Sequence, residues 1–448
     1  MALARVLGLW ETTLMGIGVI VGAGIYVLVG LAGQQAGGLL WLSFVIAGII
    51  ALFTAFSYAE LSSMFPKASS SFFYSKKAFN SNLLSFLLGW SVIAATVIAA
   101  ATVSLGFGHY LNSMGWVDDP LIGSLILLVI LLAITIHGIR DSARANAIGS
   151  IAEVAGLILV ISLGLVVTAP KFSFDAPFGF GGIISASVFA FFAYLGFEVL
   201  ATSAEEVKNV RRTLPKAILL ATGVCIILYI LVAIAFTSLL TYPEIVASVA
   251  GKEGALAVAA SKAGGEVMLR ILGVIALFST ANTVLMNMLG GSRMLYGMAR
   301  QKAMPACFGF TCRFRTPHLA LMAVATIAGL FAVMRDLSLV AEATVMSAFV
   351  IFIIDNLALL QLRRKYPGLK RAFRIPGSVR GMPVVTVVAI AASAGILAYE
   401  LVTKPIFVPI MLAVFGAGLL AYFILERPLL HHKIHAPRHK KKFRLLLR

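Results

Sequence analysis

The amino-acid sequence predicts an all-α membrane protein with twelve transmembrane helices, and its composition is the first reason. Of the 448 residues, 60% are hydrophobic and only 12% are charged. A soluble domain carries about a quarter charged residues. The mean hydropathy is +1.00. Because lipid offers the backbone no hydrogen-bond partner, apolar runs of about 20 residues cross a bilayer as helices.

The second reason is that twelve apolar runs follow one another along the chain. They cover residues 12–33, 39–60, 83–109, 120–138, 145–168, 183–203, 214–240, 271–292, 318–334, 337–362, 383–402 and 405–425. The longest polar stretches between them lie around 241–270, where we expect a short surface helix, and at 363–382. We expect no soluble domain, and therefore no nucleic acid partner for the net charge of +18.

The third reason is the distribution of basic residues. With the N-terminus in the cytoplasm, 30 of the 36 Lys and Arg residues fall on the inner side of the membrane. This asymmetry follows the positive-inside rule. It predicts the orientation of a multi-pass protein embedded in a lipid bilayer, which we expect to be the plasma (inner) membrane. Both termini are then cytoplasmic, and residues 428–448 form a basic cytoplasmic tail.

Spans one and six share an interruption near the bilayer centre. Span one contains GVIVGAGIYVLVG, whose Gly-Ala-Gly centre at residues 22–24 lies at its midpoint, although Gly costs about 1 kcal/mol relative to Ala inside a helix. In span six, the interruption is Tyr-Leu-Gly at residues 194–196. Freed backbone groups at this depth must line a cavity, and transporters with internal repeats break two helices there. The pattern predicts a central binding site between two sets of five spans.

Other interpretations of these patterns are weaker. Gly18 and Gly22 have the spacing of a helix-packing motif, but an isolated motif of this kind does not explain the matching interruption in span six. The glycine spacing does not fit a dinucleotide site. An ion channel would need a continuous polar lining, and an enzyme a motif such as H-E-x-x-H or G-x-S-x-G. We therefore predict a transporter, not an enzyme, without a cofactor.

The three cysteines indicate neither a disulfide nor a metal site. Cys225 lies within span seven, whereas Cys307 and Cys312 share an inner loop on the reducing side. With only His318 close in sequence, a zinc site is not expected.

Four stretches, in order, resemble signatures of the amino acid–polyamine–organocation transporter superfamily. They are GVIVGAGIYVLVG in span one, SYAELSSMFPKA at 57–68, FFAYLGFEVLATSAEE at 191–206 and GGSRMLYGMARQKAMP at 290–305. Two departures stand out. The loop after Pro66 carries Ala-Ser-Ser-Ser at 68–71 where a Gly-Gly pair is usual, and Tyr26 stands where Phe is commoner.

The resemblance implies the fold of an amino acid permease. Residues 1–168 would form the first repeat with spans one to five, and residues 169–366 the second, inverted repeat with spans six to ten. Helices one and six would be broken, and residues 367–427 would add two C-terminal helices. Alternating access would then rock spans one, two, six and seven against the other helices.

The resemblance also implies which backbone groups bind an amino acid. The carboxylate would be received at the positive end of the outer half-helix, by the N–H groups of Gly22, Ala23 and Gly24. The ammonium would be accepted by carbonyl groups at the two breaks, those of Ile20, Phe192, Ala193 and Leu195. Selectivity for the substrate side chain is expected from Tyr194, Phe197 and spans three and eight.

Among the acidic residues inside spans, we single out Glu153, Glu198 and Asp355, and we expect the first two to couple transport to an ion. Glu153 occupies a position where proton-coupled relatives often hold Lys, and Glu198 follows the second break; Asp355 lies in span ten. Burial favours the protonated form of a carboxyl group, so proton-coupled uptake is the leading prediction. If Glu153 and Glu198 face one cavity, they would form a carboxyl pair.

Two other coupling modes remain open. Hydroxyl groups in span eight would complete a cation site with span-one carbonyls, and the candidates are Ser279, Thr280 and Thr283. Sodium-coupled symport is therefore one alternative. Exchange of amino acids or polyamines is the other.

Overall fold

A computed structural model describes residues 5–136, 139–168, 173–250, 254–312, 314, 316–333, 337–379 and 381–434. Residues 435–448, most of the predicted basic tail, lie outside the described residues. The described chain is mostly helical. Its helices are α1 (Leu9–Ile20), α2 (Ala23–Ala36), α3 (Leu40–Met64), α4 (Ser70–Phe79), α5 (Asn82–Ser113), α6 (Pro120–Ile136), α7 (Ile139–Ser162), α8 (Gly179–Tyr194), α9 (Phe197–Thr202), α10 (Val210–Leu239), α11 (Tyr242–Ala250), α12 (Ala255–Arg300), α13 (His318–Ala332), α14 (Leu337–Lys365), α15 (Val384–Thr403) and α16 (Phe407–Ile434).

The helices follow the apolar runs of the sequence. Within the described residues, nine helical stretches are long and apolar enough to cross a membrane, and two shorter apolar helices, α6 and α13, accompany them. The described part of each of the twelve predicted runs is helical over most of its length. Strand structure is limited, in the described chain, to one antiparallel pair, β1 (Ser378–Val379) with β2 (Met382–Pro383).

The expected surface helix in the loop at 241–270 is confirmed as α11. Its Glu244 forms an ion pair with Lys262 of α12, with 2.6 Å between Nζ and Oε1. The helix α12 then turns at Gly265, whose φ of +67° is a conformation that favours glycine. This turn separates the surface part of α12 from the long apolar part.

A buried ion-pair cluster joins the loop at 363–382 to α3. The carboxylate of Glu60 accepts hydrogen bonds from Arg363 Nε at 2.9 Å and from the backbone N–H of Ile375 at 2.9 Å. The Nε of Arg371 lies 3.1 Å from the same carboxylate. A buried charge is tolerated when it is paired and hydrogen-bonded, so this cluster positions the loop against the end of α3.

The packing of the helices brings the two predicted interruptions together. The helix α2 packs against α8, and α1 packs against α10 and α9. The helix α3 packs mainly against α10 and α8, whereas α4 packs against α5 and α14. The centre of the protein is therefore built where α1, α2, α8 and α9 meet.

Candidate functional site

The first interruption separates α1 from α2 at Val21 and Gly22. The backbone makes a three-residue turn there, in which the N–H of Gly22 donates to the carbonyl of Ile20 at 2.8 Å. Gly22 itself is extended, with φ −126° and ψ −150°. The helix α2 starts at Ala23, so its first N–H groups have no acceptor within the helix and form its positive end.

The second interruption separates α8 from α9 at Leu195 and Gly196. Leu195 is extended, and its N–H donates to the carbonyl of Phe192 at 3.2 Å. Gly196 has a φ of +140°, which side-chain-bearing residues rarely adopt, so glycine is required. The N–H of Gly196 donates to Oε2 of Glu198 at 2.9 Å, which positions that carboxyl group.

One cavity lies between the two interruptions. Five of the seven residues that the sequence assigns to the substrate line it, namely Ile20, Gly22, Gly24, Phe192 and Leu195. Helices α5, α12 and α14 supply the opposite walls, with Thr96, Thr283, Asn287 and Phe352 among their lining residues. The cavity thus offers backbone polar groups on one side and hydroxyl, amide and aromatic groups on the other.

Spans three and eight contribute side chains to this cavity, but the two aromatic residues expected to set selectivity do not. Tyr194 is fully buried, and its hydroxyl donates to the carbonyl of Phe44 at 3.1 Å. Phe197 is also fully buried and stacks on Phe352, with 5.1 Å between ring centroids. Neither residue lines the cavity in this structure, so a role of either in selectivity stays a prediction. The sequence does not reveal which side chains next to a helix break face the cavity and which face neighbouring helices.

Gly24 has a packing role that the sequence does not indicate. A Cβ atom at this position would lie 2.3 Å from the Cα of Ala193. The glycine therefore allows the first turn of α2 to lie directly against the end of α8. Gly18 is similar, because a Cβ there would lie 1.9 Å from Oγ of Ser150 in α7. The helix-packing interpretation thus holds for Gly18 as well.

Tyr229 of α10 connects the two interruptions, and it was not identified as a site residue from the sequence. Its hydroxyl lies 2.6 Å from the carbonyl oxygen of Ile20 and 3.1 Å from that of Ala193. Each carbonyl oxygen has two lone pairs, so both carbonyls can accept a second hydrogen bond while Tyr229 is in place. A single Tyr within the apolar run IILYILVAI was the available signal, because a buried tyrosine hydroxyl needs a partner.

Glu153 of α7 lies beside the first interruption and is fully buried. Its Oε1 accepts a hydrogen bond from Nδ2 of Asn282 at 3.1 Å, and the same nitrogen lies 3.1 Å from the carbonyl of Gly18. The backbone carbonyl of Glu153 accepts from the hydroxyl of Tyr26 at 2.6 Å. Tyr26 and Glu153, which both depart from the family pattern, are therefore in direct contact.

Glu153 and Glu198 occupy different environments. Glu198 lines the cavity, whereas Glu153 does not. Each carboxyl group has its own hydrogen-bond donor, Asn282 for Glu153 and the N–H of Gly196 for Glu198. The two acids do not form the hydrogen-bonded carboxyl pair considered from the sequence, because α7 presents Glu153 to α12 and α1.

The hydroxyl groups of span eight lie on α12 in two different settings. Thr280 donates to the carbonyl of Ala276 at 2.8 Å, and Thr283 donates to that of Ser279 at 3.0 Å while lining the cavity. Ser279 is fully buried. Within the part of the chain that the structure describes, no group of three His, Cys, Asp or Glu residues could hold a metal ion.

This arrangement of two broken helices around a cavity agrees with the comparison with known protein families. A family model described as amino acid permease matches residues 7–424. The chain belongs to the amino acid permease family. It is therefore a multi-pass membrane protein, and the resemblance seen in its signature stretches is confirmed.

The names of individual relatives of this permease indicate several different substrates. A branched-chain amino acid permease of Bacillus subtilis is 31% identical over 87% of this chain and 86% of its own length. A methylthioribose transporter of the same organism is 30% identical, over 95% and 94%. A mitochondrial cationic amino acid transporter of Arabidopsis thaliana is 30% identical, over 82% of this chain and 63% of its own length. These relatives are transporters and not enzymes, as predicted for this chain.

Proposed function

We propose that this permease takes up amino acids across the plasma membrane by alternating access and that an inward proton gradient drives the uptake. The observation that supports the proposal most strongly is the meeting of two helix interruptions at one cavity. The start of α2 presents N–H groups there, and the carbonyls of Ile20 and Leu195 stand at the two breaks. Opposite partial charges a few ångströms apart in a medium of low dielectric suit a zwitterion.

The cavity also contains one ionisable group that suits the ammonium end of the substrate. Among the described residues that line the cavity, Glu198 is the only acidic or basic side chain. One of its oxygens is held by the N–H of Gly196. We infer that the substrate carboxylate lies toward Ala23 and Gly24, and the ammonium toward Ile20, Leu195 and Glu198.

Removing either charge of the substrate is expected to weaken binding more than changing its side chain. A hydrogen bond to a charged group contributes about 1.5–3 kcal/mol, so an amino acid amide or an N-acetyl amino acid should compete about 10- to 100-fold more weakly. Competition against a bound radiolabelled amino acid measures this directly. Neutral amino acids of different side chains are the controls. If polyamines compete better than every amino acid, the exchanger alternative replaces this proposal.

The position of Glu153 supports proton coupling. Its carboxyl group is fully buried, and in the described part of the chain its partner is the neutral amide of Asn282 and not a cation. An ionised carboxylate in such a place is costly, so the neutral, protonated form is favoured when the site is closed. Asn282 also contacts Gly18 of α1, so a change of charge at Glu153 would act directly on the first broken helix.

Purified permease in liposomes is expected to concentrate an amino acid when only a pH gradient, acidic outside, is imposed. A sodium gradient at equal pH should produce no accumulation. One pH unit corresponds to about 1.4 kcal/mol per proton, and hence to about tenfold accumulation for one proton per substrate. Accumulation with sodium alone would support the sodium alternative, with Ser279, Thr280 and Thr283 as its candidate residues. Exchange without any net uptake would support the antiporter alternative.

The ion pair between α11 and α12 is not the source of a pH effect in this assay. A hydrogen bond from Lys262, with further bonds from Thr241, lowers the pKa of Glu244 to about 2. A carboxyl group with a lowered pKa stabilises the folded state above its ordinary pKa, and this contribution is lost as the pH falls through about 2. Transport changes between pH 5 and pH 8 therefore have another origin.

A further inference from the structure

Another buried acid, Asp355, lies one turn beyond the cavity and has no role in the proposed coupling. It follows Ile351 and Phe352 on α14, both of which line the cavity. Asp355 itself is fully buried and does not line it. It lies toward the end of α14 that carries Arg363, Arg364 and Lys365, which is the cytoplasmic end by the positive-inside rule.

Two hydroxyl groups from different helices meet at one oxygen of Asp355. Oδ2 accepts from the hydroxyl of Tyr58 in α3 at 2.5 Å and from that of Ser71 in α4 at 2.6 Å. In the described part of the chain, Oδ1 has no hydrogen-bond partner. Full burial without a cation among its described neighbours suits a neutral carboxyl group, with Oδ2 as acceptor and the proton on Oδ1, because an unpaired ionised carboxylate costs far more to bury than a neutral carboxyl group.

The charged and titratable groups around Asp355 do not neutralise it. On α3, the carboxylate of Glu60 forms ion pairs with the guanidinium groups of Arg363 and Arg371. On α4, the ring of Tyr74 stands edge-on to Tyr58 at 6.4 Å. The remaining groups are farther along their elements, namely Lys76 and Lys77 at the end of α4 and Glu198 on the cavity side of α9. No Lys or Arg within the described ranges forms an ion pair with Asp355.

A layer of aromatic rings separates Asp355 from the cavity. The ring of Tyr58 packs edge-on against Phe352 at 5.8 Å and against Phe197 at 5.5 Å. Phe352 lines the cavity, and Phe197 directly follows the second interruption. The hydroxyl that contacts Asp355 therefore belongs to a ring that packs against the cavity wall.

The contact joins helices that pack mainly against different neighbours. Tyr58 belongs to α3, which packs mainly against α8 and α10, whereas Ser71 and Asp355 belong to α4 and α14, which pack against each other and against α5. A movement that opens the cavity toward the cytoplasmic end of α14 would separate Tyr58 from Asp355. It would leave Ser71 in place and admit water to the carboxyl group.

We propose that Asp355 is a second proton-binding site, which holds a proton while the cytoplasmic side is closed and releases it to cytoplasmic water when that side opens. The O–H bond at Oδ1 breaks, the proton passes to water, and the hydroxyl of Ser71 continues to donate to the carboxylate. Closure then requires a proton from the cytoplasm. The inference rests on the alternating access proposed above. Neutral Asp355 thus favours the closed state and ionised Asp355 the open state.

A cysteine reporter on α3 tests this linkage. Ser62 is fully buried one turn beyond Tyr58. Ser62→Cys, in a chain with Cys225, Cys307 and Cys312 replaced by Ser, is alkylated with a water-soluble maleimide in nanodiscs between pH 6 and pH 8. The same reporter with Asp355→Asn is treated in parallel. The ratio of the two rates cancels the pH dependence of the thiol itself.

The ratio of the Asp355 chain to the Asp355→Asn chain is expected to rise about tenfold or more from pH 6 to pH 8, because one ionisation is linked to opening. Asp355→Glu should keep the rise. A ratio that stays constant overturns the proposal. The assay uses no substrate and no gradient. Its result is therefore independent of the liposome assay, and an absence of proton-driven uptake there would not change it.

Two further variants decide the question if Asp355→Asn does not fold. Tyr58→Phe removes a hydrogen bond present only in the closed state, so the alkylation rate at pH 6 should rise about 2- to 10-fold. Ser71→Ala removes a bond to the same oxygen that the proposal keeps in both states, together with the 3.1 Å contact between the Ser71 and Tyr58 hydroxyls, and should raise the rate less than Tyr58→Phe does. Equal effects of the two substitutions, or no effect of Tyr58→Phe, would show that the contact is only structural.

Discussion

Glu153→Gln is expected to abolish the accumulation of substrate under a pH gradient while exchange of substrate continues. Gln resembles the protonated carboxyl group, and its amide oxygen can still accept the hydrogen bond from Asn282 that Oε1 of Glu153 accepts at 3.1 Å. The link from α7 through Asn282 to Gly18 of α1 is therefore kept. The variant cannot release a proton, so the gradient has no means of acting on the first broken helix at this site.

The measurement is uptake by reconstituted protein with one pH unit across the liposome membrane. The parent should accumulate substrate about tenfold for one coupled proton, and Glu153→Gln should only equilibrate it. Exchange of external for internal substrate should remain within about threefold of the parent, because Gln has nearly the same size as Glu and keeps the hydrogen bond from Asn282. Glu198→Gln is the matched variant at the other acid. If Glu153→Gln accumulates substrate like the parent and Glu198→Gln does not, coupling lies at the cavity carboxyl group.

Gly24→Ala is expected to disrupt the contact between the two broken helices and so to lower both stability and substrate binding. The new Cβ atom would lie 2.3 Å from the Cα of Ala193, a backbone atom that cannot rotate away. Overpacking of this kind costs about 1–3 kcal/mol. In an open helical position the same substitution would be favourable, because Ala is the better helix former by about 1 kcal/mol.

Gly223→Ala in α10 is the matched control, since nothing lies within 4 Å of a Cβ atom there. Thermal unfolding of purified protein in detergent, together with calorimetric binding, separates the possible roles of Gly24. Lower Tm and weaker binding in Gly24→Ala, with a parent-like Gly223→Ala, support the packing role. A parent-like Tm with lost binding would assign Gly24 to the substrate alone. Parent-like values of both would contradict both roles.

The sequence alone determined where the helices form and where two of them break. In lipid the backbone must satisfy its own hydrogen bonds, so an apolar run of sufficient length specifies a helix without knowledge of its neighbours. The interruptions are also local, because Gly196 carries a backbone conformation that favours glycine and each break is closed by a turn between near neighbours in the sequence. This is why most of the backbone groups assigned to the substrate in advance do line the cavity.

Which side chains share that cavity depended on tertiary structure. Glu153 and Glu198 look alike in sequence, as acids inside apolar spans, yet only Glu198 faces the cavity. Tyr194 adjoins the second interruption but points to Phe44, whereas Tyr229 comes from another span and contacts both interruptions. The direction of a side chain around a buried helix carries no amphipathic signal when every face is apolar.

The partners of the buried polar groups were decided in the same way. Asp355 meets Tyr58 and Ser71, which lie nearly 300 residues earlier in the chain. Glu153 meets Asn282, and Tyr26 meets the backbone of Glu153. Hydropathy acts within one span and sets the helices independently, whereas a hydrogen bond between spans exists only after they pack. For this reason the sequence revealed the acids of this permease, and only the packed helices revealed what each of them contacts.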